Sequence, residues 1–245
     1  MGPISMDRTR AQKLFSLSGV VPLAAFLLLH LWTAAALLSS HAVYDRQVAF
    51  LHGSRGPILG FLEIVLVLVP LLFHAGYGMW VGLQPRPAKH AYDSNLMLSL
   101  ERASGALVLV FIVAHLWETR VQTWTGRLLV GSYSTRLVEQ LSSLNGGIPW
   151  VALGYLVGIG ATVFHLVNGM TSFSVTWGLV KSPAARQRAR LLFRTTGIFI
   201  FAISAATVLE LATGARFFAA EHHEAPAICG SASLPTPSAL PSASH

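Results

Sequence analysis

Four histidines lie in separate apolar stretches of this sequence: His30, His74, His115 and His165. An imidazole is a strong metal ligand, and an ionisable side chain among apolar residues is costly unless it has a partner. A single histidine of this kind most often hydrogen bonds a backbone carbonyl across a helix bundle. Four of them, one in each of four successive stretches, favour a metal-binding or redox role.

Local sequence sorts these histidines into two pairs. His30 and His115 each open a His-Leu-Trp triplet, and each follows a Ser-Gly dipeptide by about three helical turns. His74 and His165 are each followed by a glycine one helical turn later. The repetition indicates that each pair performs one task.

The composition indicates a membrane protein. Of the 245 residues, 53% are hydrophobic and only 11% are charged, whereas a soluble domain carries about a quarter charged residues. The net charge of +7 suits an anionic membrane surface, and in so apolar a chain it favours that partner over nucleic acid. Cys229 is the only cysteine, which excludes an intrachain disulfide and a thiolate iron–sulfur cluster.

Apolar runs of about 20 residues predict an all-α membrane protein with spanning helices. We place five of them, at about 17–38, 57–81, 100–117, 148–173 (or as far as 179) and 191–212. Polar connections are expected over 39–55 and 84–95, and the longer loop over 118–147 has room for a short surface helix.

The chain divides into a polar segment (1–15), a transmembrane domain (16–214) and a tail (215–245) rich in Ala, Ser and Pro that we predict to be disordered and external. Of the 17 Lys and Arg residues, 11 fall on the side of the N-terminus and 6 on the other side. Because basic residues collect on the cytoplasmic side of membrane helices, this distribution predicts a cytoplasmic N-terminus.

Depth in the membrane groups the histidines as the local motifs do. His30 and His115 are about 13 and 15 residues along outward spans, which places both roughly 20 Å from the inner face. His74 and His165 are each about 17 residues along inward spans, roughly 25 Å from the outer face. We call His30 and His115 the outer pair, and His74 and His165 the inner pair.

Two imidazoles that face each other at one depth are typical of the bis-histidine ligation of a b-type haem. The four histidines therefore predict two haems, one above the other, and a path for electrons across the membrane. Gly78 and Gly169, and also Gly19 and Gly105, would let a flat macrocycle approach the helix backbone, although glycine also serves helix packing. The electron donor is expected on partner subunits.

Four segments, in chain order, carry a resemblance to a known family: Ser16-Leu-Ser-Gly-Val-Val-Pro-Leu to His30-Leu, Leu62-Glu-Ile through Pro70 to His74-Ala-Gly-Tyr-Gly78, Glu101-Arg-Ala-Ser-Gly105 to His115-Leu-Trp, and His165-Leu-Val-Asn-Gly169 to Trp177-Gly178. They resemble the cytochrome b membrane anchor of dihaem succinate:quinone oxidoreductases, the succinate dehydrogenases and fumarate reductases. The resemblance covers about residues 15–213.

The resemblance implies that the first four helices form the haem bundle, with the fifth packed outside, in a bacterial cytoplasmic membrane. It implies a proximal haem on His74 and His165, a distal haem on His30 and His115, and menaquinone as the usual quinone. The implied partners are an iron–sulfur subunit and a flavoprotein with FAD that holds the succinate site. Some members carry a glutamate two residues before the fourth histidine for proton transfer, and Val163 in that place puts this route in doubt.

Two charged residues have hypothetical roles. Glu63, near the outer boundary, could exchange protons at a quinone site beside the distal haem; alternatively it is a helix-start acid that interacts with the helix dipole. Arg102, at the inner end of the third span, could pair with a propionate of the proximal haem, or could be a snorkelling anchor.

Three other functions stay open. A dihaem cytochrome b serving a hydrogenase or formate dehydrogenase would need the same bundle, but the motifs from His165 to Gly178 speak against it. A metal-ion transporter would use carboxylates or thiols beside imidazole, and the carboxylate that we consider for this role in the predicted spans is Glu63. A structural anchor that has lost its haems would not need all four histidines.

Overall fold

The computed structural model describes residues 4–52, 56–84, 95–129 and 131–217. Over these residues the chain is almost entirely helical, and the only β-type pairing there is an isolated bridge between Asn145 and Ile148. Five helical stretches in this part of the chain are long and apolar enough to cross a membrane, and we call them spans 1 to 5. They are Arg10–Leu38, Gly60–Gly82, Leu96–Trp124, Trp150–Thr176 and Pro183–Thr213. The predicted all-α fold with five spanning helices is confirmed.

The helices, in chain order, are α1 (Ile4–Ser18), α2 (Ala24–Ala35), α3 (His41–His52), α4 (Gly56–Glu63), α5 (Val69–Gly82), α6 (Asn95–Leu116), α7 (Gln122–Trp124), α8 (Tyr133–Leu141), α9 (Trp150–Thr176) and α10 (Pro183–Thr213). The first three spans are each assembled from two helices, whereas spans 4 and 5 are single helices. Both α3 and α8 lie between spans.

A π-helical turn joins the two helices of each of the first three spans. These turns are Gly19–Leu23, Ile64–Leu68 and Trp117–Val121, and a 3-10 turn at Ala36–Leu38 ends span 1. Pro22 lies within the first π turn, where the missing N–H of proline removes one hydrogen bond of the ladder. A π turn inserts one extra residue without ending the helix.

Spans 1 to 4 pack around one another, and span 5 lies outside against span 4 and the α2 half of span 1. Glycines permit the closest approaches. A Cβ added at Gly197 of span 5 would lie 2.5 Å from Val167 Cγ2 of span 4, and one at Gly158 would overlap the Phe111 ring of span 3. Small residues at helix contacts are a usual means of packing membrane helices.

Helices α3 and α8 cover one end of the bundle, which we call the capped end. The most deeply buried apolar cluster lies there, and it includes Leu37, Tyr44, Val48, Leu128, Tyr133 and Leu141. Asp45 of α3 accepts hydrogen bonds from the Ser134 N–H (3.1 Å) and hydroxyl (2.5 Å) at the start of α8. Burial, followed by the adjacent Asp45 carboxylate, raises the pKa of Tyr44.

The prediction of a loop over 39–55 is wrong for most of that range, because α3 occupies His41–His52. Tyr44 and Val48 are one turn apart and are both buried, while Arg46 is exposed. An amphipathic helix with this pattern carries enough polar residues to look like a loop. The short surface helix expected within 118–147 is present as α8.

Three spans are longer than predicted. Span 1 begins at Arg10 and not at about residue 17. Span 3 is helical from Asn95, and it continues to Trp124. Span 5 begins at Pro183, because the Ser182 side chain accepts a hydrogen bond from the Ala185 N–H as an N-cap, and Pro183 occupies the first turn. Most of the predicted tail, 218–245, lies outside the described residues.

Candidate functional site

The structure brings the four histidines together as two pairs. The ring centroids of His30 and His115, from spans 1 and 3, are 5.7 Å apart with an interplanar angle of 70°. Those of His74 and His165, from spans 2 and 4, are 6.2 Å apart with an angle of 83°. The outer pair lies toward the capped end, and the inner pair lies toward the end where span 1 begins.

Both separations suit two imidazoles that share one metal. A metal–imidazole bond is about 2 Å long, so two rings on opposite sides of one metal hold their centroids roughly 6 Å apart. Among the described residues, no group of three or more His, Cys, Asp or Glu side chains is arranged to hold a metal ion. Each site therefore offers two imidazoles, the donor set of an iron whose remaining positions a macrocycle fills.

The inner pair is held by hydrogen bonds at the Nδ1 atoms of its two rings. His74 Nδ1 lies 3.2 Å from the Phe15 carbonyl and 3.3 Å from Ser18 Oγ, both on span 1. His165 Nδ1 lies 3.3 Å from Ser104 Oγ on span 3. Each histidine of the inner pair is thus supported by the preceding span in the chain.

These contacts favour one tautomer of each ring of the inner pair. The Ser18 hydroxyl donates to the Phe15 carbonyl at 2.8 Å, and the Ser104 hydroxyl donates to the Glu101 carbonyl at 2.9 Å. A serine hydroxyl that donates to the carbonyl of its own helix can accept from the imidazole, which then carries its hydrogen on Nδ1. The Nε2 lone pair is then free to bind a metal, as second-shell hydrogen bonds achieve in metal sites.

Two glycines leave room for the imidazole rings of the inner pair. A Cβ added at Gly19 would lie 2.5 Å from His74 Cε1, and one at Gly105 would lie 3.0 Å from His165 Cε1. We expected these glycines to lie against a macrocycle. In the structure, Gly19 and Gly105 admit the histidine rings of neighbouring spans, whereas a Cβ at Gly169 would meet no described heavy atom within 4 Å.

Aromatic rings hold the outer pair. Phe26 stacks on His30 with a centroid distance of 5.8 Å, and Phe111 stacks on His115 at 5.9 Å. The hydroxyl of Tyr155 on span 4 lies 3.2 Å from His115 Nδ1. The sequence contained a signal that we missed, because a phenylalanine stands four residues before each outer histidine.

A π turn reconciles the unequal spacing of spans 1 and 3. Gly19 precedes His30 by 11 residues, whereas Gly105 precedes His115 by 10. The π turn at Gly19–Leu23 absorbs the extra residue. Both spans can therefore present a glycine to the inner pair and a histidine to the outer pair.

The two charged residues singled out in the sequence lie at opposite ends of the bundle. Glu63 of span 2 forms an ion pair with Arg120 of span 3 at the capped end, with 32% and 16% of the two side chains exposed. Arg102 donates to the Gln84 carbonyl at 3.4 Å, at the other end. Arg120 could not be recognised from the sequence as the partner of Glu63, because the pairing depends on how two spans are aligned.

The arrangement defines a class, a multi-pass helical membrane protein with two imidazole pairs at different depths. The chain is 28% identical over 178 residues to the succinate dehydrogenase cytochrome b558 subunit of Bacillus subtilis strain 168, a match that covers 72% of this chain and 83% of that protein. This match confirms the resemblance to the cytochrome b membrane anchors that the sequence segments indicated.

A second curated relative is more distant. The chain is 23% identical over 176 residues to the protoheme IX farnesyltransferase of Microcystis aeruginosa strain NIES-843, which covers 71% of this chain but 50% of that protein. No family model matches the chain, and no solved structure matches it.

Proposed function

We propose that this chain is the membrane-anchor and electron-transfer subunit of a succinate:quinone oxidoreductase, a succinate dehydrogenase or fumarate reductase. The observation that carries the proposal is the pairing of His30 with His115 and of His74 with His165 at two depths. The similarity to a succinate dehydrogenase cytochrome b558 subunit supports it over most of both chains.

Two b-type haems are the groups that these residues would hold, one on each histidine pair. When bound, a haem supplies a one-electron centre whose potential depends on its axial ligands and their hydrogen bonds. The chain supplies four imidazoles, and the positions of Ser18 and Ser104 favour the tautomer of the inner pair in which Nε2 is available. The apolar spans exclude water from both sites.

The orientation is proposed from charge, with α1 on the cytoplasmic side of a bacterial membrane and the capped end outside. The succinate site then lies on a partner flavoprotein with FAD, and an iron–sulfur subunit passes electrons to the inner pair. The exposed basic residues Arg186 and Arg188, in the first turns of α10, belong to the proposed docking surface. Menaquinone is the proposed quinone.

The roles of Glu63 and Arg102 remain proposals. Glu63 would exchange protons with a quinone near the outer pair, since its ion pair with Arg120 holds a carboxylate at the capped end. Arg102 would pair with a propionate of the inner haem. Arg102→Leu should then shift the midpoint potential of that haem, and an unchanged potential in a folded variant would remove this role.

A redox-titrated spectrum of the purified complex, with haem counted per chain, tests the function. We expect two haems per chain, loss of one in His74→Ala, and loss of the other, with a different midpoint potential, in His30→Ala. A complex without haem would refute the proposal. Copurification with a subunit that carries covalent flavin would distinguish succinate dehydrogenase from a hydrogenase or formate dehydrogenase.

A further inference from the structure

A groove of about 380 Å³ opens on the surface of the capped end, between α2 and α3. The wall that α2 supplies consists of Leu29, Trp32 and Thr33, which share one face of the helix because they stand three and four residues apart. The Thr33 hydroxyl donates to the Leu29 carbonyl at 3.0 Å, so it has no hydrogen left for a ligand. This wall is therefore apolar in its chemistry.

Helix α3 supplies the opposite wall with a face of its own. Its residues Tyr44 and Val48 are buried in the cap. The residues that line the groove repeat at the spacing of a second helical face, and they are Val43, Arg46, Gln47, Phe50 and Leu51. The sequence of α3 thus serves two surfaces, the packed interior of the cap and the groove.

Two neighbouring polar groups in the groove have unused bonding capacity. Arg46 is exposed, and it forms no ion pair or side-chain hydrogen bond within the part of the chain that the structure describes. The adjacent carboxylate, Asp45, is already engaged by Ser134. The Gln47 Oε1 atom is buried and has no hydrogen-bond partner among the described residues. The groove therefore combines apolar walls with a cation that lacks a counter-charge.

These features match a ligand with an anionic group and a long apolar chain. The guanidinium of an arginine suits a phosphate, to which it can donate two parallel hydrogen bonds. Trp32 and Arg46 lie toward the end of a span, where such side chains reach the level of the lipid headgroups. A neutral quinone would leave Arg46 without a counter-charge, whereas a phospholipid supplies both the charge and the chain.

We propose that the groove between α2 and α3 is a binding site for an anionic phospholipid, with the phosphate on Arg46 and one acyl chain along Leu29, Trp32 and Phe50. The Gln47 amide bonds a polar group of the headgroup. This inference goes beyond the proposed function, because it concerns a site that does not involve haem or electron transfer.

The test places the complete complex in phosphatidylcholine nanodiscs with a small fraction of phosphatidylglycerol that carries a photoactivatable diazirine in one acyl chain. Mass spectrometry then locates the labelled peptides. We expect labelling of α2 and α3 that unlabelled phosphatidylglycerol competes away. Arg46→Gln should reduce this labelling about fivefold or more, and Arg46→Lys should retain most of it. Arg127→Gln is the matched control, because it removes an exposed positive charge at the same end without touching the groove.

Three results would overturn the proposal: equal labelling in the wild type and Arg46→Gln, an equal reduction in Arg127→Gln, or displacement of the label by menaquinone but not by phosphatidylglycerol. Competition in the wild type decides even if Arg46→Gln does not assemble, because a competing excess of phosphatidylglycerol must lower the labelling. The haem count of the same preparation tests the proposed function separately. A complex without haem that still labels at α2 and α3 would refute that function and leave the lipid site in place.

Discussion

The inner and outer pairs are built from the same donors but are held by different forces. The inner pair depends on hydrogen bonds from the imidazoles to serines and on two glycines that let rings touch a neighbouring backbone. The outer pair depends on stacked phenylalanines, on one tyrosine hydroxyl and on the packed cap above it. The inner site should therefore be sensitive to added atoms, and the outer site to lost packing.

Gly19→Ala should have the largest effect, and only on the inner site. The new Cβ would lie 2.5 Å from His74 Cε1, so the ring must move away from His165. Alanine is the better helix former by about 1 kcal/mol, so the helix itself does not suffer. We expect loss of the inner haem by haem count and redox titration. Gly76→Ala, with no described atom near its new Cβ, is the control. Equal loss of the inner haem in both variants would contradict the explanation.

Glu63→Gln should reduce quinone-linked turnover while both haems remain. Glutamine cannot take up or release a proton, and general acid–base groups typically contribute on the order of a hundredfold or more. Turnover across a pH series is the measurement, with a changed profile expected. Glu139→Gln, an exposed glutamate of α8, is the control. Unchanged turnover and an unchanged profile would leave Glu63 only its ion pair with Arg120.

Asp45→Ala should loosen the cap and weaken the outer site alone. The substitution removes both acceptors that hold Ser134 at the start of α8, and loss of an N-terminal cap costs about 1 kcal/mol. Faster hydrogen exchange of the α8 amides and faster release of the outer haem are expected. Arg46→Ala, the exposed neighbour on α3, should change neither. Equal release of both haems would show that the cap does not serve the outer pair.

Tyr155→Phe and Ser18→Ala compare single hydrogen bonds at the two pairs, and their effects should be the smallest. The loss of the Tyr155 hydroxyl should cost about 1 kcal/mol, or roughly fivefold in retention of the outer haem. Ser18→Ala should cost the inner haem less, because the Phe15 carbonyl still accepts from His74 Nδ1. Haem retained on stepwise heating is the measurement. A greater loss of haem in Ser18→Ala than in Tyr155→Phe would contradict this prediction.

The spans and the grouping of the histidines could be predicted because both follow from simple lengths. A bilayer of fixed thickness and a helix of fixed rise convert a residue number into a depth. His30 and His115 therefore share a level on sequence grounds alone, as do His74 and His165. The helix α3 was missed because its polar face dominates its composition, although Tyr44 and Val48 carried the helical spacing.

Contacts between spans could not be predicted in the same way. Periodicity indicates the face on which Gly19 lies, but not that His74 is the ring opposite it. Glu101, whose Oε1 atom lies 3.2 Å from His165 Nδ1, could not be recognised because a span that starts near residue 100 places it at the membrane boundary. The helix begins at Asn95 instead, so Glu101 lies inside the bundle.

The π turn at Gly19–Leu23 bears on how related sequences are aligned. An inserted residue in a regular α-helix turns every later side chain by about 100°, enough to rotate a ligand from the bundle toward lipid. A π turn confines that rotation to a single turn, so a gap of one position inside a transmembrane helix is compatible with an intact site. Ligand spacing that differs by one between homologues is therefore poor evidence that the metal-binding geometry has been lost.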